Sequence, residues 1–475
     1  MAASWEQLRD GAWVTRERAR LVALAVLAAS LIGVLYIVVT ATGLNDNTGR
    51  PIGTDFSNIY AAGTYVLEGE PAKPFDPAAQ HAREQAIFGA ATPFYGWHYP
   101  PFFLGVAALL ATMPYLVALA AWQGVTLVLY GLAIRAIVAS SPTPGGGGSR
   151  AASARGGVTN EDERSPPPGS LRSIAEASPR RSSIQERPPK AAYASPLQGE
   201  VKKAWLLLAL AYPAVFINLG HGHNGFLTAA LFGGALLVLD RSPILAGILI
   251  GCLAYKPQFG LLIPLVLVVT GRWRVFASAA AAVALMAFAV TAVFGIDVWR
   301  AFLDSGEFTR KVVLEQGGTG WHKIQSVFSW ARMWGAGIPL AYAAQTMATV
   351  TVAAALVAIW RSRAAFAIKA AALLIGSILA TPYSLDYDLM LIAPAIAFLA
   401  ADTMTRGAAR SATPNDLPWE KTILAALWLV PLIARTFAQI THIPLAVPVM
   451  LLSFMWLLYR ALHCHAPAIT ESQAA

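Results

Sequence analysis

Asp55 stands in the run Gly53-Thr54-Asp55-Phe56-Ser57-Asn58-Ile59-Tyr60-Ala61-Ala62-Gly63, a short way past the end of a long apolar stretch. A carboxylate at a lipid–water boundary can serve as a general base. It takes the proton of a hydroxyl as that oxygen attacks, provided a pocket brings the two within hydrogen-bonding reach. The same residues also suit a helix starting at Phe56 with Thr54 or Asp55 as its cap, and spacing alone leaves both readings open. Lys256 lies between two apolar half-spans, immediately before Pro257 and Gln258. An ionisable residue there is costly unless it serves a site or snorkels to the interface. An ammonium at headgroup level is the point charge that a phosphate attracts.

Three further groups carry polar chemistry. His221-Gly222-His223-Asn224 joins two apolar runs; an H-x-H pair suits a metal, hydrogen bonds to a ligand, or loop capping. No acidic or cysteine partner stands nearby, so no metal site is assigned. His322-Lys323, flanked by Trp321 and Trp330, offers an imidazole and an ammonium beside aromatic surface, which fits either ring stacking or a membrane-interface belt. Tyr383-Ser384-Leu385-Asp386-Tyr387-Asp388 places two carboxylates at a helix start, as caps or as ligands for a polar acceptor. His98 and Tyr99, next to Pro100 and Pro101, close the first polar loop.

The elements that must hold these groups are membrane helices. The chain of 475 residues is 56% hydrophobic and 13% charged, and its apolar runs have the length a helix needs to cross about 30 Å of hydrocarbon. About a dozen crossings are expected from runs at 21–41, 116–139, 204–220, 224–239, 243–255, 258–270, 275–295, 339–360, 365–381, 387–401, 421–439 and 444–461. The first run is too long for a cleaved signal peptide and reads as an anchor. Phe102 to Met113 is short of a span and reads as a re-entrant or interfacial helix. The net charge of +9 sits at segment ends rather than on one basic face, which makes it a topology signal and gives no nucleic-acid surface. Two cysteines, Cys252 and Cys464, exclude a disulfide framework.

With basic clusters inside, every polar group named above falls on the outer, non-cytoplasmic side. The expected division is a cytoplasmic N-terminus at 1–20, first spans at 21–139 with an external loop 42–115, a cytoplasmic insertion at 140–203, the remaining spans at 204–463 with an external loop 296–338, and a cytoplasmic tail at 464–475. Segment 140–203, with its Gly run and its Arg, Ser and Pro content, has the composition of disorder.

Taken in order, these landmarks resemble glycosyltransferase family 87, polyprenyl-phosphate-mannose-dependent mannosyltransferases of the GT-C superfamily. The resemblance rests on Asp55-Phe56 with Tyr60-Ala61-Ala62-Gly63 and Gly69-Glu70; on Tyr99-Pro100-Pro101-Phe102; on Gly220-His221 with Asn224; on Ala246-Gly247 with Lys256-Pro257-Gln258; and on Pro382-Tyr383-Ser384 with Asp386. His221 stands where the family usually has Gln. The resemblance implies an all-α polytopic membrane protein with a GT-C-type multi-helix fold and external juxtamembrane helices. It further implies an inverting hexosyltransferase that moves mannose from a polyprenyl-phosphate donor to a lipid or glycan acceptor, without a metal or other cofactor. Its catalytic aspartate maps onto Asp55. On that footing Lys256, His322 and Lys323 are expected to bind the donor phosphate, stabilising charge as the glycosidic bond breaks. Tyr60, His98, Tyr99, His221, His223, Asn224, Gln258, Tyr383 and Asp386 are candidate substrate contacts. The expected location is a bacterial inner (plasma) membrane, with the site facing the periplasm or cell exterior. A transporter or flippase of lipid-linked glycans is the rival from another class; a polymerase or ligase using a lipid diphosphate is a third reading.

Overall fold

The computed structural model of the protein describes residues 2–140, 204–409 and 417–463. The insertion expected beyond Ser140 and the tail at 464–475 lie outside the described residues. The described chain is helical, with isolated bridges as its only β pairing. Helices α1 (Ala2–Asp10) and α2 (Arg16–Val39) open it, and the Thr15 hydroxyl caps α2 by accepting the Arg18 N–H at 3.2 Å. Short helices α3 (Thr54–Leu67), α4 (Pro77–Phe88) and α5 (Leu104–Ala111) precede the long α6 (Tyr115–Ala139). Next come α7 (Ala204–Leu210) and α8 (Pro213–His221), bent by 42° where Pro213 starts the second helix, and then α9 (Gly225–Val238), α10 (Pro243–Cys252) and α11 (Ile263–Val269). After α12 (Trp273–Phe294) the chain makes α13 (Asp297–Phe308), α14 (Val327–Met333), α15 (Ile338–Arg361) and α16 (Phe366–Leu379). It ends with α17 (Ile392–Ala409), α18 (Glu420–Thr441) and α19 (Ala446–His463).

Seven described stretches are long and apolar enough to cross a membrane: α2, α6, α12, α15, Asp386–Arg406, α18 and α19, or eight with the bent α7–α8 pair. The dozen crossings expected from apolar runs are therefore not all single full-length helices. Between 204 and 270, prolines and glycines cut the runs into short helices, of which α9, with 14 residues, is the longest. Such a helix covers roughly 21 Å at 1.5 Å per residue, short of a full crossing. The protein is an all-α, multi-pass integral membrane protein.

Burial sets its radial order. The Asp386–Arg406 span is 78% buried, whereas α2 is 6% buried and turns Leu24, Leu31 and Leu35 outward. The Asp386–Arg406 span thus forms the axis and α2 lies at the periphery. The Phe102–Met113 stretch carries a short apolar helix. Its helix, α5, is eight residues long and packs along α3, where a Cβ on Gly63 would lie 2.1 Å from the Ala107 carbonyl oxygen, so only glycine permits the approach.

The end of the bundle that carries the basic clusters is closed by paired charges. Asp402 Oδ2 accepts from Arg406 Nε at 3.0 Å and Arg460 Nη2 at 3.1 Å, and Glu420 Oε1 binds Arg406 and, at 3.4 Å, Arg460. Arg272 bonds Asp240 at 2.8 Å. The N-terminal helix joins this end, with Trp13 Nε1 donating to Thr422 at 3.0 Å.

Candidate active site

At the opposite end, Gly53 starts α3 with φ +71° and makes no side-chain cap, so neither Thr54 nor Asp55 caps the helix. Asp55 lies in the first turn instead, where the partial positive charge of the helix N-terminus favours a carboxylate. The Thr54 hydroxyl bonds His221 Nδ1 at 2.8 Å, and that nitrogen stands 3.9 Å from Asp55 Oδ1. His221 arrives there because α8 ends at Gly222 with φ +63°. A Cβ on Gly222 would lie 2.6 Å from the Phe56 Cβ, so the two left-handed glycines let the turns touch. Asn218 fixes the turn from below. Its Nδ2 donates to the Ala214 and Tyr387 carbonyls at 2.8 and 3.0 Å, and its Oδ1 accepts the Gly225 N–H at 3.0 Å.

The opposite wall comes from two loops clamped together. Ile324 and Leu385 form an antiparallel bridge, and the Gln325 N–H donates to the Ser384 carbonyl at 2.7 Å. Gln325 also takes the Ala446 N–H at the start of α19, 3.3 Å away. This clamp brings the Trp321–Lys323 turn beside Asp386. Arg435, from the outer third of α18, places Nη1 3.6 Å from Asp386 Oδ2. The charges act on one another. Burial and then the neighbouring Arg435 push the Lys323 ammonium below its ordinary value, while Asp55 and Asp386 oppose this. His322 is lowered by burial, then by Arg435 and Lys323. Burial raises the Asp55 carboxyl; Asp386 adds to the rise, and His221, Lys323 and Lys256 oppose it.

A deeper, buried layer lies beneath it. Lys256 is 4% exposed and donates to Asp388 Oδ1 at 2.6 Å, with the Tyr387 ring 5.3 Å from its Nζ. Asp388 Oδ2 accepts the Leu385 N–H at 3.0 Å. Lys256, expected to meet a lipid phosphate, is buried and paired with Asp388. His223 stacks on Tyr387 at 3.5 Å and bonds the Tyr99 hydroxyl at 3.2 Å, while His221 meets the same Tyr387 ring edge-on at 5.9 Å. The Asn224 side chain is buried in the same layer and makes no hydrogen bond among the described residues. Tyr60 ties α3 to the Met113 carbonyl at 2.9 Å. His98 bonds Thr309 at 2.9 Å, and Tyr383 lies half-buried between it and the clamp. Gln258 is half-buried in the turn Pro257–Gly260, outside this cluster. Among the described residues no group of three or more His, Cys, Asp or Glu is arranged to hold a metal ion.

The structure thus joins Asp55, His221, His322, Lys323 and Asp386, drawn from distant parts of the chain. It adds Arg435 and Asn218, and turns Asp388, the second carboxylate of the 383–388 run, toward Lys256. Arg435 left a signal in the sequence: a guanidinium inside an apolar run, near the end that should be poor in basic residues. Asn218 left none, being an amide within an apolar helix.

The fold is a multi-pass helical bundle with carboxylates, imidazoles and cations from distant segments gathered at one end. The chain belongs to glycosyltransferase family 87: the family model matches residues 97–382, more than half of its length. It is an integral membrane glycosyltransferase. The match begins after Asp55 and ends before Asp386, so both carboxylates lie outside the matched stretch. No curated protein and no solved structure matches the chain.

Proposed function

We propose that the protein transfers a hexose, mannose in the first instance, from a polyprenyl monophosphate to a hydroxyl of a lipid or glycan acceptor. The transfer takes place on the non-cytoplasmic side, inverts the sugar carbon, and uses Asp55 as base. The observation that carries this reading is the open state of Asp55. Its side chain is 21% exposed, has no hydrogen bond among the described residues, and has no ion partner nearer than His221 at 3.9 Å. A base needs free lone pairs and a pKa drawn toward the working pH, and burial supplies the second.

In the reaction the acceptor oxygen bonds to the sugar carbon as its proton passes to the Asp55 carboxylate. The bond from that carbon to the phosphate oxygen breaks, and its electron pair leaves with the polyprenyl monophosphate. His322, Lys323 and Arg435 face that leaving phosphate and stabilise its added charge. Arg435 has its nearest anion, Asp386, at 3.6 Å, beyond hydrogen-bonding distance, so its donors remain available. Lys256 acts from beneath, its charge shared with Asp388. His221 holds the start of α3 through Thr54.

The test is incubation of purified protein with labelled polyprenyl-phosphate mannose, polyprenyl-phosphate glucose and a polyprenyl-diphosphate sugar, each with an extract of the source membrane lipids. Labelled product from a monophosphate donor is expected. Product from the diphosphate alone points to a polymerase or ligase, and movement of lipid without a new glycosidic bond points to a flippase. Sidedness is checked by cysteine labelling: a cysteine replacing Ser305 should react from outside intact cells, and one replacing Ser362 only after permeabilisation.

A further inference from the structure

A cavity of about 240 Å³ beside the site has none of the phosphate-facing residues in its wall; it is lined by His98, Phe302, Ser305, Thr309, Arg310 and Tyr383, among others. Its wall forms where α13 gives way to a π-helix over Thr309–Glu315. π-Helical turns are rare, and they concentrate at functional sites because the wider turn re-aims side chains. Here that turn brings the Thr309 hydroxyl within 2.9 Å of His98 Nδ1 and lets Arg310 pair with Glu315 at 2.5 Å. Burial lowers the His98 imidazole to about 4, so at neutral pH it is uncharged and offers one donor and one acceptor. Tyr383 connects the cavity to the site, because it lines the cavity and the next residue, Ser384, accepts the Gln325 N–H of the clamp at 2.7 Å.

We propose that this cavity seats the acceptor: a single polyhydroxylated ring whose reacting hydroxyl points past Tyr383 toward Asp55. The ring lies against Phe302, and its remaining hydroxyls meet His98, Ser305, Thr309 and Arg310. This rests on the hexose-transfer reading given above. Three observations favour acceptor over donor. The volume is below the roughly 300–1,000 Å³ of pockets for larger ligands, which suits one ring. The lining mixes one aromatic face with hydroxyl, imidazole and guanidinium groups, the set that recognises a ring of hydroxyls. An inverting displacement also needs the attacking oxygen on the face opposite the leaving phosphate, and the phosphate-facing residues His322, Lys323 and Arg435 are absent from this lining.

Gly306 makes the test clean. It lies in α13 on the cavity wall, and a Cβ there meets nothing within 4 Å, so a side chain can be added without a clash at its first carbon. Transfer from labelled polyprenyl-phosphate mannose is measured against increasing amounts of source-membrane lipid extract. Gly306→Leu should raise the extract concentration for half-maximal rate at least tenfold and leave the donor concentration for half-maximal rate unchanged. Thr309→Val, the same shape without the hydroxyl, should shift the acceptor curve several-fold in the same direction. An unshifted acceptor curve in both variants overturns the assignment, and so does a shift of the donor curve instead. Absence of transfer by the wild-type protein overturns the hexose-transfer reading itself, and the acceptor assignment with it.

Discussion

The two ends of the central helix carry similar charges in opposite states. At one end Asp402, Glu420, Arg406 and Arg460 saturate one another, with Arg460 bonded to Asp402 at 3.1 Å. At the other, Asp386 accepts the Tyr387 N–H at 3.0 Å but keeps Arg435 at 3.6 Å, and Asp55 has His221 at 3.9 Å, so the opposite charges feel one another without a hydrogen bond between them. Saturated buried charge locks α17, α18 and α19 together and has nothing left to offer a ligand. Charge held short of contact is costly to maintain in a low-dielectric setting, and a phosphate or a hydroxyl proton can complete it. Composition alone does not distinguish a staple from a site; distance to the nearest partner does. The Lys256–Asp388 pair sits at the open end and is built like the closed one, at 2.6 Å.

The contrast is broken most severely at Asp55. Asp55→Asn should lower hexose transfer by about 10²–10⁴-fold, the usual worth of a general base, with insertion and donor binding kept. Wild-type transfer in that variant would remove Asp55 from the chemistry. Second in size is the closed end. Arg460→Met leaves Asp402 and Glu420 short of a counter-charge and should cost about 3–5 kcal/mol, read as a lowered thermal midpoint in detergent, with transfer per folded molecule unchanged.

Lys256→Met is expected to destabilise by a similar ~3–5 kcal/mol, because Asp388 is left buried and unpaired. Lys256→Met with Asp388→Asn should recover most of the loss and most of the transfer. A stable double variant with a strongly raised donor requirement would instead make Lys256 a direct phosphate ligand. Lys323→Ala should raise the donor concentration for half-maximal rate about tenfold, in line with about 1.5–3 kcal/mol for a charged hydrogen bond; no shift would detach the cationic wall from the donor. The smallest effect is on pH. Asp55 must be ionised to act and burial raises its pKa, so transfer should fall on acidification at a pH above the ordinary carboxylate range. Asp386→Asn removes a like charge and should move that acid limb downward, a displacement visible in the profile of kcat/KM.

Much of this was legible in the chain. The apolar runs and the basic residues at their ends give helices and a sidedness, because hydrocarbon forces every backbone group to be bonded within its own segment. Asp55, Lys323 and Asp386 stand out as charges where charge is expensive. The helix lengths between 204 and 270 were less legible, because an apolar run does not say where Pro213, Pro243 and Pro257 will break it. Arg435 was overlooked inside a run that reads as ordinary membrane helix.

By itself the sequence determined that this is a many-helix membrane protein of glycosyltransferase type, with polar residues at one level of the bundle. Those properties follow from local chemistry: apolar length, charge at helix ends, motif order. Only the tertiary structure decided which of the polar residues are spent on one another. It paired Lys256 with Asp388, stacked His223 on Tyr387, and left Asp55 open. Partner choice depends on distances between residues more than a hundred positions apart, which the glycines at 53, 63 and 222 set by letting backbones touch.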